Sequence, residues 1–190
     1  MKIVAFNGSP RRKGNTVILI KEMFKIFETE GIETEMIQLG NKPVHGCNAC
    51  GKCKEIQNGK CHIKNDHLNF CIEKMIEADG IIIGSPVYFA DVTTEVKALI
   101  DVAGYVTRAN GHLLKQKVGA GIIAVRRGGA LTTFDTINRF FLINQMIVPG
   151  SSYWNFAFGR NPGEVLEDEE GMQTIKTLAE NMVWLLKKLH

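Results

Sequence analysis

Lys2-Ile3-Val4-Ala5-Phe6-Asn7-Gly8-Ser9-Pro10-Arg11-Arg12-Lys13-Gly14-Asn15-Thr16 follows the initial Met1, and its reading decides the fold. Lys2 to Phe6 is a short apolar run of the kind a buried strand presents, and Asn7-Gly8-Ser9-Pro10 ends it with turn formers. Asn15 opens a helical pattern in which Ile18, Leu19, Met23, Ile26 and Phe27 recur at three- and four-residue intervals, until Gly31 closes it. A strand thus passes through a small-residue loop directly into a helix.

The same alternation continues along the chain. Glu33 to Leu39 alternates polar and apolar side chains as a second strand does. Residues 40 to 64 break the rhythm and are rich in Cys, Gly, Lys and Asn. Asp66 is placed to cap a helix carrying Phe70, Cys71, Met75 and Ile76 on its apolar side. A third strand, Gly80-Ile81-Ile82-Ile83, stops at Gly84-Ser85-Pro86, and a helix follows over Thr93 to Ala103. Val118 to Val125 reads as a fourth strand, ended by Arg126-Arg127-Gly128-Gly129. A helix over Leu131 to Asn144 leads to a fifth strand near Met146 to Tyr153, and the last helix runs from about Glu167 to Leu189. Strand–helix alternation five times over predicts an α/β fold, a doubly wound five-stranded parallel sheet covered on both faces. Without a repeat or linker, residues 1–190 read as one domain with a cysteine-rich insertion at about 44–64. Ligands in such sheets bind beyond the carboxyl ends of the strands, where strand order reverses, which directs attention to the loops after strands one, three and four.

Composition narrows the function. The chain has 190 residues, 45% hydrophobic and 23% charged, with a formal net charge of +3. Mean hydropathy is −0.03. Scattered Lys and Arg at this mild excess exclude a nucleic-acid partner. The apolar runs are too short for a membrane span, and no targeting signal follows Met1, so the cytoplasm is the expected compartment. Disulfides are rare there, and five cysteines are read as metal ligands, redox groups or core residues.

In the first loop, Ser9, Asn15 and Thr16 can donate hydrogen bonds. Gly14 allows close backbone approach, the helix N-terminus adds the positive end of a dipole, and Arg11 or Arg12 adds charge. That is an anion site. Neither G-x-x-x-x-G-K-[ST] nor G-x-G-x-x-G is present, which disfavours ATP and a Rossmann dinucleotide. After strand three, Pro86 fixes the loop, Val87 to Ala90 can present backbone N–H groups, and Tyr88 or Phe89 can lie near a flat ring. After strand four, Gly128 and Gly129 permit backbone approach and Arg126 can meet a phosphate or a nicotinamide cofactor. Gly-Ser-Pro-Arg with Gly-Asn-Thr, and Gly-Ser-Pro-Val-Tyr-Phe before Lys97-Ala98-Leu99-Ile100-Asp101, resemble the two flavin loops of the NADPH-dependent FMN reductase and flavodoxin-like superfamily. The resemblance implies FMN, with Ser9, Arg11, Gly14, Asn15, Thr16, Pro86, Val87, Tyr88, Phe89, Ala90, Arg126, Gly128 and Gly129 as its contacts.

Cys47-x2-Cys50-x2-Cys53-x7-Cys61 has the spacing of thiolates that converge on one iron–sulfur cubane. Zinc is the alternative, with His45 or His62 as further ligands, although structural zinc sites present separated knuckles. Cys71, at helical spacing among apolar neighbours, is expected in the core. His67, His112 and His190 are expected at the surface or as caps. Placed between the second and third strands, the cysteine run resembles that of the archaeal and bacterial iron–sulfur flavoproteins. That resemblance implies a [4Fe–4S] cluster on Cys47, Cys50, Cys53 and Cys61, and homodimers or homotetramers in which the cysteine loop of one subunit lies near the FMN of another. The expected function is electron transfer between FMN and the cluster, with ferredoxin, NAD(P)H or a quinone as redox partner. An NAD(P)H-dependent flavin or quinone reductase without a cluster, and a non-catalytic redox-sensing module, are the alternatives.

Overall fold

The computed structural model describes residues 1–63 and 66–190, and of Asp66 the backbone alone; the cap expected of the Asp66 side chain lies outside that description. The elements run β1 (Lys2–Asn7), α1 (Asn15–Thr29), β2 (Glu33–Gln38), a short α2 (Lys52–Ile56), α3 (Asp66–Glu77), β3 (Gly80–Pro86), α4 (Thr94–Ala109), β4 (Val118–Val125), α5 (Ala130–Ile143) and β5 (Phe156–Phe158). A 3₁₀ turn (Glu164–Glu167) then leads into α6 (Glu169–Leu189). The strands form one parallel sheet in the order β2-β1-β3-β4-β5, which bears out the five-stranded parallel sheet expected and has the flavodoxin-like order.

Strand alternation sends side chains to two cores. Val4, Phe6, Ile81 and Ile83 pack with α3, α4 and α5, while Ile3, Ala5 and Ile82 pack with α1 and α6. β4 is buried along its whole length, as a central parallel strand covered on both faces must be. Cys71 is fully buried in the first core, as expected, and burial pushes its thiol pKa up to about 12.

The fifth strand lies elsewhere than expected. Of Met146 to Tyr153 only Ile147 pairs with β4: its N–H donates to Lys117 O at 2.9 Å, and its O accepts Gly119 N–H at 2.9 Å. Pro149 has no N–H to extend that ladder. The chain leaves the sheet and returns as Phe156–Phe158 beside Ile123–Val125. α4 also runs six residues beyond the expected Ala103, to Ala109.

The reversal of strand order falls between β1 and β3, and their loops meet there. Gly8 N–H donates to Gly84 O at 2.8 Å. Thr93, the N-cap of α4, donates its hydroxyl to Gly8 O at 3.0 Å and its N–H to Ser85 Oγ at 3.1 Å. All four residues are buried, so the crevice has a fixed floor.

Candidate functional site

Above this floor opens a cavity of about 300 Å³. Ser9, Arg11, Gly14, Asn15 and Thr16 line it from the first loop, Pro86, Val87 and Tyr88 from the second, and Arg126 from the third. Arg11, rather than Arg12, faces the cavity. Phe89, Ala90, Gly128 and Gly129 stand outside its lining. Ala124, Gly159 and Arg160 complete it, and none of the three was picked out from sequence.

The cavity suits a phosphate. Gly14 caps α1 without a side chain, and the first turn of α1 holds no acidic residue, so its N–H groups and dipole are offered to an anion. The hydroxyl residues Ser9 and Thr16 are buried beside them. No Asp, Glu or His lines the cavity among the described residues, and Arg11 and Arg126 make no ion pair there. The donor role expected of the Asn15 side chain is directed elsewhere. Its Nδ2 donates to Asn161 O at 2.9 Å, and its Oδ1 accepts Gly163 N–H at 2.8 Å.

The second loop is a tight two-residue turn. Tyr88 N–H donates to Asp91 O at 2.8 Å and Asp91 N–H to Tyr88 O at 3.0 Å, with φ of 48° at Phe89 and 61° at Ala90. Both positive angles mark the type I′ class, usually filled by Asn-Gly. Two L-residues held there store strain of roughly 1–2 kcal/mol each, at the place where a ring would sit. Of the N–H groups expected to face the ring, Val87 donates to Ala124 O at 3.2 Å and Tyr88 is used inside the turn. Those of Phe89 and Ala90 make no hydrogen bond among the described residues, and Phe89 projects fully into solvent. Beyond Arg126, the third loop and the start of α5 brace this turn rather than line the cavity. Thr132 Oγ1 donates to Ala90 O, and a Cβ on Gly129 would fall 2.7 Å from Ala90 Cα.

Cys47, Cys50, Cys53 and Cys61 line a second cavity, of about 370 Å³, against Val102, Val106 and Ala109 of α4. α2, unforeseen in the aperiodic stretch, carries Cys53. Burial raises the Cys53 pKa, and the neighbouring Cys47 and Cys61 raise it further, so these sulfurs lie close to that of Cys53. Two asparagines from outside the loop grip it. Asn69 of α3 accepts Cys61 N–H at 2.8 Å and donates to Cys61 O at 2.9 Å. Asn110 accepts Gly59 N–H at 2.8 Å and donates to Cys53 O at 3.3 Å. Four soft sulfur donors around one cavity, with His62 beside them and no carboxylate among its described lining side chains, fit an iron–sulfur cluster or zinc. No group of three or more His, Cys, Asp or Glu side chains among the described residues is drawn into metal-ligand geometry. His67, expected at the surface, is partly buried beside Cys71, its Nε2 3.9 Å from the sulfur; burial lowers its pKa and nearby Lys42 lowers it further.

A parallel sheet whose switch-point loops build an anion cavity beside a strained ring seat defines a flavin-dependent oxidoreductase of flavodoxin-like fold. The chain belongs to the NADPH-dependent FMN reductase family, whose model matches residues 1–161. Within that family it is similar to the iron–sulfur flavoproteins, the branch its cysteine run resembles. It is 40% identical to an iron–sulfur flavoprotein of Methanocaldococcus jannaschii, over 98% of each chain. It is 35% identical to one from Methanosarcina thermophila, over 98% of this chain and 96% of that one. Among solved structures, RosB with bound 8-demethyl-8-formylriboflavin-5′-phosphate shares the fold, with a TM-score of 0.73 and 18% identity over 100% of this chain and 80% of that one. No helix among the described residues is long and apolar enough to cross a membrane.

Proposed function

We propose that this oxidoreductase transfers electrons between FMN in the switch-point cavity and a [4Fe–4S] cluster on Cys47, Cys50, Cys53 and Cys61. The observation that carries the reading is the lining of one cavity by all four cysteines of the loop. The names of its relatives as iron–sulfur flavoproteins support it. When bound, flavin handles electrons in pairs or singly and the cluster takes them singly. The chain's own residues do the holding. Ser9, Thr16, Arg11 and the start of α1 bind the phosphate, and the Pro86 to Ala90 loop seats the ring. Asn69 and Asn110 fix the loop that carries the thiolates. With no carboxylate or imidazole in the described lining of the flavin cavity, side-chain acid–base chemistry is not required.

On this reading residues 1–190 act as one FMN-binding domain, with the 44–64 loop as its cluster-binding insertion. The two cavities sit at different levels of α4. The flavin turn precedes Thr94, and the cysteine cavity lies against Val102 to Ala109, roughly 12–22 Å further along at about 1.5 Å per residue. That spacing supports a homodimer or homotetramer in which the cysteine loop of one subunit approaches the flavin of another. Exposed Tyr105, Leu142 and Ile143 on α4 and α5 supply apolar surface for such contacts. Ferredoxin, NAD(P)H or a quinone would be the outside redox partner, in the cytoplasm.

The match of the NADPH-dependent FMN reductase model to residues 1–161 favours a second reading, an NAD(P)H-dependent flavin or quinone reductase without a cluster. Anaerobic purification, a visible spectrum, and iron, sulfide and zinc analysis decide between them. Flavin bands with about four iron and four sulfide per chain support the cluster. Flavin without iron or sulfide supports the reductase, and zinc at one per chain rejects the cluster. A colourless protein that takes up no FMN rejects both.

A further inference from the structure

We propose that Arg160 is a phosphate-binding residue of the flavin site and that Asn15 is the positioning residue that holds it there. The inference rests on the assignment of FMN to the switch-point cavity. Arg160 lies just past β5, far in sequence from the phosphate loop, yet it lines the same cavity as Ser9, Arg11, Gly14 and Thr16.

Its loop is pinned at three points. Gly159 N–H donates to Val125 O at 2.8 Å, continuing the pairing of β4 with β5. Glu164 Oε2 accepts the N–H groups of Arg160 at 2.6 Å and Asn161 at 2.8 Å, and Oε1 accepts Asn161 Nδ2. The third point is Asn15, only 8% exposed, whose carboxamide grips Asn161 O and Gly163 N–H across 146 and 148 residues. Asn15 is also the first residue of α1, so the loop is tied to the very turn that offers its N–H groups to an anion. The approach is close enough to require a glycine. A Cβ on Gly159 would stand 2.8 Å from Asn15 Nδ2 and 2.8 Å from Val165 N.

The electrostatics agree. The Glu164 carboxylate accepts two backbone N–H groups and the Asn161 side chain, and although it lies near enough to attract Arg160 the two form no ion pair among the described residues. Arg160 is exposed and engaged in no ion pair among the described residues, and no carboxylate is among the described lining of the cavity beside it. Guanidinium matches the planar spacing of phosphate oxygens, and a phosphomonoester carries about two negative charges near neutrality.

FMN and riboflavin differ only by that phosphate, so the ratio of their dissociation constants isolates the claim. Both are measured by flavin-fluorescence quenching on the full chain stripped of flavin. Arg160→Gln should weaken FMN by at least about tenfold and leave riboflavin unchanged, with Arg160→Lys recovering part of the loss. Asn15→Ala, which keeps the backbone N–H, should lower the FMN preference in the same sense. The double variant should be no worse than Arg160→Gln alone, because Asn15 acts through Arg160. Equal weakening of FMN and riboflavin by Arg160→Gln, or no change in FMN, overturns the role of Arg160. Losses that multiply in the double variant overturn the positioning role of Asn15. A wild-type chain that binds neither flavin rejects the cavity assignment itself, a result distinct from all of these.

Discussion

The carboxamide of Asn69 closes on the backbone of Cys61 from both sides, accepting its N–H at 2.8 Å and donating to its carbonyl at 2.9 Å. A cysteine so held keeps its position whether or not its sulfur has a metal to bind. Outer partners of this kind typically change metal retention by about ten- to a hundredfold when removed. With the proposed cluster in place, Asn69→Ala is therefore expected to give up iron to a chelator markedly faster than wild type. Asn69→Asp, which keeps the acceptor and loses the donor, should fall between. Equal release rates in all three would show that the clamp is irrelevant to the metal.

The turn at Phe89 and Ala90 makes a second prediction. Replacing the pair by Asn and Gly, the residues that type I′ geometry favours, removes strain that L-residues carry at positive φ. The melting temperature should rise by a few degrees, since about 1 kcal/mol corresponds to roughly 2–4 °C in a chain of this size. Flavin binding should weaken at the same time if the native pair serves the ring. An unchanged or lower melting temperature would mean that the turn is not strained.

Gly8 lies where the two flavin loops touch. An added Cβ would stand 2.2 Å from Val96 Cγ2 and 2.9 Å from Gly84 O, the second of which is backbone. Gly8→Ala should cost about 2 kcal/mol of stability, the usual scale of overpacking in a close-packed core. The check is a shift of the urea midpoint at constant slope; a midpoint within error of wild type would contradict the packing described.

The carboxylate of Glu164 carries a pH dependence. Hydrogen bonds from Asn161 N–H, then Arg160 N–H and the Asn161 side chain, hold its pKa below the ordinary value of 4.5. A folded pKa below the unfolded one means that the contribution to stability is fully present above about 4.5 and is lost as pH falls through the depressed folded value. Wild type should therefore exceed Glu164→Gln in urea midpoint by a constant margin near neutrality, and the margin should shrink once pH drops below about 4.5. A margin that stays constant into acid would show that the carboxylate is not what the loop depends on.

Much of the site was legible because its residues are neighbours in sequence. Ser9 to Thr16 forms one strand-to-helix loop, and a buried parallel strand followed by small residues and a helix start leaves a local pattern. The cysteines were legible for the same reason. Arg160 was not, because nothing around it marks a ligand loop; only the fold brings it to the cavity that Ser9 to Thr16 line. Asn69 and Asn110 were equally silent, since a polar residue on or after a helix reads as solvated until its partner is known.

What the sequence alone determined is the alternation of strands and helices, a sheet covered on both faces, the switch-point loops and the four-cysteine run. All of these are written in hydrophobic period and local turn chemistry, over windows of some ten residues. The tertiary structure decided that Phe156–Phe158 rather than Met146 to Tyr153 forms the fifth strand beside β4, that Arg11 rather than Arg12 faces the cavity, and that Asn15 reaches across 146 residues to Asn161 O instead of into the cavity. A hydrogen bond between distant segments is fixed by how close packing brings them together, and no local pattern in either segment records it.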